Sequence, residues 1–331
     1  MAKIVLGIGT SHSPLLVLGG SEWEYRSQDD RRNKSLNTLD GRKLSYDELV
    51  AERGEPYGRE ADPAGFPALA ARAEAALDRL AVALKEARPD VVLVVGDDQG
   101  ELFGPDNQPA ISVFHGPELV MKPFEHLSGM PPWANQAFWA GYRMDLPHRY
   151  PAAPELGLDL VHGLIRQGVD VSSSDRVADP AVRGFGHAFG FVIQRLMKDL
   201  SIPMLPVLLN TYFPPNVPTA ARCYEIGQKI QAALAGSASP ARVAVIASGG
   251  LSHFLCEEAF DRTLVDALVK NHIDTLTTVP QAAMTSGSSE VRNWITVAGM
   301  VSHLSTDFVE YIPVYRTPAG TGIGLGFMTW R

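Results

Sequence analysis

The stretch Pro89–Phe103, PDVVLVVGDDQGELF, sets the architecture that the rest of the chain has to satisfy. Val91 to Val95 is an unbroken run of β-branched and aliphatic side chains. A strand sends alternate side chains to opposite faces, so such a run is buried on both, as in a mainly parallel sheet covered by helices. Before it, Leu69, Ala73, Leu77, Leu80 and Leu84 recur at helical spacing across Phe66 to Arg88, with Arg72, Asp78, Arg79 and Lys85 facing away. Pro89 ends that helix. The polar quartet Gly96 to Gln99 therefore stands where a buried strand stops.

The alternation of helix and strand recurs along the chain. Phe189 to Lys198 precedes Met204 to Leu209, and Ala221 to Leu234 precedes Val243 to Ala247, while Lys3 to Ile8 opens the chain as a further strand. Pro206 makes Met204 to Leu209 the weakest of these strands. The predicted fold class is α/β, with a central mainly parallel or mixed sheet flanked by helices. Two segments break the pattern. Residues 21–65 are charged, poor in aliphatics and punctuated by Gly and Pro, which reads as an insertion outside the core. Residues 104–154 are rich in Pro and aromatic side chains, among them Trp133, Phe138, Trp139, Tyr142 and Tyr150, and read as a site wall or a packed surface excursion. No internal repeat divides the chain, and one domain over residues 1–331 is expected.

Composition narrows the function classes. The 331 residues are 45% hydrophobic and 20% charged, the balance of a chain that buries a large core. A formal net charge of −8 and the lack of a Lys/Arg-rich segment argue against a nucleic-acid partner. No apolar run approaches the roughly 20 residues of a membrane span, and MAKIVLGIGTSHSP lacks the apolar core of a signal peptide, so a cytoplasmic location without membrane contact is expected. Two cysteines, Cys223 and Cys256, give no disulfide framework and no paired-thiolate zinc site. Nine histidines are the main reserve of metal ligands and of proton carriers near neutral pH.

In open α/β sheets ligands collect beyond the carboxyl ends of the strands. Three such ends carry polar residues here: Thr10 to His12, Gly96 to Gln99, and Ser248 to His253. One strand-end histidine is usually structural; three polar ends in one chain point to a shared site. A fourth element, GSSEVRNW at Gly287 to Trp294, sets Glu290 just before an apolar helical pattern, where an isolated Glu is commonly a helix cap. Histidine and carboxylate around open coordination positions suit non-haem iron(II).

With these motifs in view the chain resembles the LigB-type, or class III, extradiol ring-cleavage dioxygenases, which include protocatechuate 4,5-dioxygenase, gallate dioxygenase and 3-O-methylgallate dioxygenase. The resemblance runs through GIGTSHSP, PDVVLVVGDDQGELF, GFGHAFG, LPVLLNTYFPPNVPTAARCYEIGQKI, ASGGLSHF and SSEVRNWITVAGM. It implies iron(II) as cofactor, O2 as co-substrate and a small aromatic acid bearing adjacent hydroxyls, opened beside the diol. It also implies His12 and Glu290 as iron ligands, His253 as general base and acid, and His187 as a catalytic histidine outside the iron's ligand set, bordering substrate and dioxygen. Tyr212 is a candidate to hydrogen-bond a ring substituent, and Arg143, Arg149 and Arg183 are candidates to bind a carboxylate.

The chain departs from the family pattern at Gln99, where typical members carry an iron-ligating histidine. A neutral amide oxygen is a poorer ligand than imidazole. Three completions follow: Gln99 through its oxygen, a carboxylate from Asp97 or Asp98, or another histidine such as His115 or His162. A homodimer is expected, with the charged stretch after Pro14, including Trp23 and Tyr25, closing the site that a separate small subunit closes in some relatives. Two other readings stand beside this one: a metal-dependent hydrolase or oxygenase acting on a non-catechol ring, and a non-catalytic subunit that has lost the metal.

Overall fold

The structure, a computed structural model, describes residues 1–124, 132–198 and 200–331. Part of the Pro- and aromatic-rich stretch, residues 125–131, and the side chain of Trp133 lie outside the described residues. The main sheet has nine strands: β1 (Lys3–Thr10), β2 (Val91–Asp97), β3 (Ile111–Phe114), β4 (Ser172–Ser174), β5 (Met204–Leu209), β6 (Arg242–Ser248), β7 (His253–Leu255), β8 (Thr306–Tyr315) and β9 (Thr321–Trp330). Their spatial order is β7-β9-β1-β6-β2-β5-β3-β4, with β8 paired to β9. The pairs β1/β6, β6/β2 and β2/β5 are parallel, whereas β9 runs antiparallel to β1, β7 and β8. The sheet is thus mixed around a parallel centre, as expected from the sequence.

The helices that cover it include α1 (Trp23–Arg32), α2 (Phe66–Ala87), α3 (Pro154–Arg166), α4 (Ala220–Ala235) and α5 (Val291–Met300). Alternation along β2 divides its side chains between two cores. Leu93 and Val95 join the one built with α3, α4 and α5, and Val92 and Val94 join the one built with α2. Pro206 causes no break, because β5 continues through it. The helix expected over Phe189 to Lys198 begins as an α-helix at His187–Phe191 and continues as a wider π-helical turn at Val192–Met197.

The sheet's carboxyl edge is held by one tryptophan. Trp294 on α5 donates its indole N–H to the Gly249 carbonyl at 2.8 Å. Its ring lies so close to β1 that a Cβ on Gly9 would fall 2.1 Å from it, which is why the strand before His12 carries glycine there.

The charged segment at 21–65 is more than an excursion, which corrects the expectation from composition. Trp23 is fully buried, packs 5.9 Å from the Phe66 ring and donates to the Leu15 carbonyl. Leu36, Leu44, Tyr46 and Leu49 form a small core with Leu255 and Ala319. Asp30, also buried, accepts from Arg316 Nε at 2.6 Å and Nη2 at 3.1 Å, and from Thr321 Oγ1 at 2.8 Å. These buried residues sit singly between charged neighbours, so the average polarity of the segment conceals them.

Candidate active site

Four parallel strands end side by side. Thr10 of β1 lies opposite Ser248 of β6, Ala247 of β6 opposite Val95 of β2, and Asp97 of β2 opposite Leu209 of β5. Beyond these ends lies a cavity of about 290 Å³ that reaches His12, Gln99, His187, Tyr212, His253 and Glu290. That size is at the lower end of the roughly 300–1,000 Å³ of small-molecule sites. Six of the candidate residues named from the sequence therefore meet in one place.

His12 follows β1 directly and is buried. Its Nδ1 lies 3.0 Å from Ser248 Oγ, and that hydroxyl donates onward to the Ala188 carbonyl at 2.7 Å. The Ser248 hydroxyl has one proton, already committed, so His12 carries a proton of its own on Nδ1 and turns Nε2 inward. Nε2 is buried without a hydrogen-bond partner and faces Glu290 Oε2 at 3.2 Å. An imidazole lone pair and a carboxylate oxygen so placed require a cation or a proton between them.

Glu290 ends the 3-10 turn Ser286–Glu290. It makes no side-chain cap to α5; instead Oε2 accepts from the Gly250 N–H at 2.5 Å. Two residues on, the buried Arg292 donates to the Pro218 and Met284 carbonyls, each at 2.8 Å, tying the turn that presents Glu290 to the loop after β5. His253, the first residue of β7, donates from Nδ1 to the Leu251 carbonyl at 3.0 Å, which leaves Nε2 as a proton acceptor 3.6 Å from Glu290 Oε1. Gly287 gives this ring its room, since a Cβ there would lie 2.0 Å from His253 Cδ2.

His187 opens its helix with Nδ1 bonded at 2.6 Å to Glu101 Oε1 and Nε2 directed at Asp97 Oδ2, 3.8 Å away. Its ring lies 4.8 Å from that of His12. Donor atoms of His12, Asp97, His187 and Glu290 all fall within 4.8 Å of one another, a spacing near twice a metal–ligand bond of roughly 2.0–2.2 Å. Gln99 is a neighbour of this group. Its side-chain nitrogen donates to Asp97 Oδ2 at 3.0 Å and to Glu290 Oε1 at 3.3 Å, holding two carboxylates together from outside.

The other completions considered from the sequence fare differently. Asp98 turns away and accepts from the Leu102 and Phe103 N–H groups at 2.7 and 3.1 Å. His162 is exposed on α3, and neither it nor His115 reaches the cavity. The three arginine candidates also lie elsewhere. Arg149 pairs with Glu118 and Arg183 with Asp106, at exposed positions, and Arg143 follows the helix at 132–141 with a positive φ. The guanidinium groups that do line the cavity are Arg26 and Arg316. Trp23 is committed to the core and Tyr25 is not a lining residue, so α1 reaches the cavity through Arg26 instead.

Glu101, which reading the strand end passed over, stands only two residues beyond Gln99 and is 3% exposed. Burial would push the His187 imidazole down, but Glu101, then Asp97 and Glu290, outweigh it and raise it to about 10. Burial would raise Glu290, yet His12 and His253 hold its carboxyl well below the usual range. Burial and the Glu290 charge both raise Asp97. Burial lowers His253, and Glu290 more than compensates, so its net shift is upward. The buried carboxylates and imidazoles of the site thus balance one another's charge.

The chain is similar in sequence to known proteins. Over 149 residues the chain is 29% identical to a 2,3-dihydroxyphenylpropionate/2,3-dihydroxicinnamic acid 1,2-dioxygenase of Comamonas testosteroni, covering 44% of this chain and 43% of that protein. Over 118 residues it is 32% identical to a gallate dioxygenase of Pseudomonas putida, covering 32% of this chain and 34% of that one. The matches thus span less than half the length of either relative. Residues 68–326 match the family described as the catalytic LigB subunit of aromatic ring-opening dioxygenase, and on that extent the chain belongs to the LigB family.

Proposed function

We propose that this chain is a non-haem iron(II)-dependent extradiol dioxygenase that opens the ring of a catecholic aromatic acid of the gallate, 3-O-methylgallate or protocatechuate type. The observation that carries the reading is the buried His12 Nε2, without a hydrogen-bond partner and 3.2 Å from a carboxylate oxygen, at the floor of a cavity with aromatic walls. His12, His187 and Glu290 supply two imidazoles and a carboxylate, the donor set of iron(II) oxygenases that leaves positions open, with Asp97 as a further oxygen. In this reading His187 provides the imidazole that residue 99 lacks, and Gln99 restrains Asp97 and Glu290 rather than ligating. When bound, iron(II) would supply Lewis acidity and a template on which the diol and dioxygen meet.

The chain's own residues supply the rest. Phe124, Phe138, Tyr142 and Phe254 make the walls that hold an aromatic ring and exclude water. His253 keeps Nε2 free to take a proton from a substrate hydroxyl and to return one as the ring opens, a shuttle suited to imidazole. Tyr212 offers its hydroxyl to a ring substituent. Protein purified without oxygen and supplied with iron(II) should consume O2 and form a ring-fission chromophore with gallate, 3-O-methylgallate or protocatechuate. Protein that holds iron(II) but consumes no oxygen with any of them would defeat the proposal and favour the hydrolase or binding-subunit readings.

A further inference from the structure

Arg26 and Arg316 stand on the wall of the same cavity, but their charges are answered very differently. Arg316 is consumed by Asp30 through two hydrogen bonds, at 2.6 and 3.1 Å, with both side chains buried. A fork-to-fork pair of this kind neutralises the guanidinium charge and engages two of its five N–H donors. Among the described residues Arg26 has a single 3.5 Å contact, to Asp29, whose side chain is 48% exposed. Helical periodicity explains the arrangement. Trp23, Ser27 and Asp30 form the buried face of α1, Arg26 lies at its edge toward the cavity, and Asp29 lies outside it. Burial, and next the neighbouring Arg316 charge, lower the Arg26 guanidinium from its ordinary value. A cation in that position gains more from an incoming anion than a solvated one does.

We propose that Arg26 is the specificity-determining residue that receives the carboxylate of the aromatic ligand, with Arg316 and Asp30 as the rigid bracket behind it. The assignment rests on the reading of the cavity as an aromatic-acid site. It adds that the segment at 21–65 selects the ligand's charge, and that ligands with an anionic group across the ring from the end facing His12 and Glu290 are preferred over neutral ones of the same shape.

The test uses two ligands that cannot be ring-opened by this chemistry, 4-hydroxybenzoate and 4-hydroxybenzamide, titrated by calorimetry into the oxygen-free, iron(II)-supplied full chain. The acid should bind more tightly than the amide. Arg26→Gln should weaken the acid about tenfold or more, the scale of one lost charged hydrogen bond, while changing the amide less than about twofold. Asp29→Asn, at an exposed position, should tighten the acid about two- to threefold by freeing Arg26 from its one weak partner. An acid preference that survives Arg26→Gln, an equal loss for both ligands, or failure of both to bind overturns the assignment. Because neither ligand reacts, the outcome is separate from the oxygen-uptake result. A chain that opens no ring yet shows the Arg26-dependent preference would lose the dioxygenase reading and keep the anion site.

Discussion

Glu101→Gln is the most informative single change at the metal-proximal end of the cavity. The buried carboxylate holds two donors at once, the His187 Nδ1–H through Oε1 at 2.6 Å and the Gln99 backbone N–H through Oε2 at 2.5 Å. A glutamine of the same shape has one acceptor oxygen, so its NH2 must face either the imidazole N–H or the amide N–H. One donor then loses its partner in a site where Glu101 is 3% exposed, at a cost of about 1–3 kcal/mol. If His187 ligates iron(II), Glu101 is the group that fixes its ring orientation and its basicity. Loss of such a supporting carboxylate typically weakens metal binding about 10–100-fold, or about 1.4–2.7 kcal/mol. Competition with a chromogenic chelator, under nitrogen, measures that affinity directly. Iron(II) binding as tight in Glu101→Gln as in the natural chain would refute the role given to His187.

Two further outcomes are expected. His253→Ala should retain iron(II) at the natural stoichiometry while slowing oxygen uptake by about two or more orders of magnitude, because the role proposed for the side chain is to move protons and not to hold metal; iron lost on dialysis of the variant would contradict that division of roles. Asp261, buried behind Ser252 and Tyr311, is raised by burial to about 6 from an ordinary 3.8. The folded chain then binds more protons than the unfolded one between about pH 4 and 6, so stability should fall as pH rises through that window, by on the order of 3 kcal/mol. Asp261→Asn should flatten that part of the urea-denaturation profile, and superimposable profiles would remove Asp261 as its cause.

Much of this arrangement was legible because its signals are local. The run Val91 to Val95 gave the buried strand, Pro89 the end of the preceding helix, and the three polar strand ends converged as parallel neighbours must. What could not be read was direction and partnership. Asp97 and Asp98 are adjacent in the chain, yet the pleat and the turn send one to the His12, His187 and Glu290 side chains and the other to the Leu102 and Phe103 amides. Arg26 looked like any other charge in a polar segment, because its distinction depends on Asp30 taking Arg316, a contact 286 residues apart. Glu101 followed the quartet closely, but only the fold sets it against His187.

The central claim is that His187 supplies the imidazole that Gln99 cannot. X-ray absorption at the iron edge of the oxygen-free, iron(II)-loaded protein counts those ligands. The account predicts two imidazoles in the natural chain, one in His187→Ala, and a restored second one when Gln99→His is added to that variant. An imidazole count unchanged by His187→Ala would contradict it.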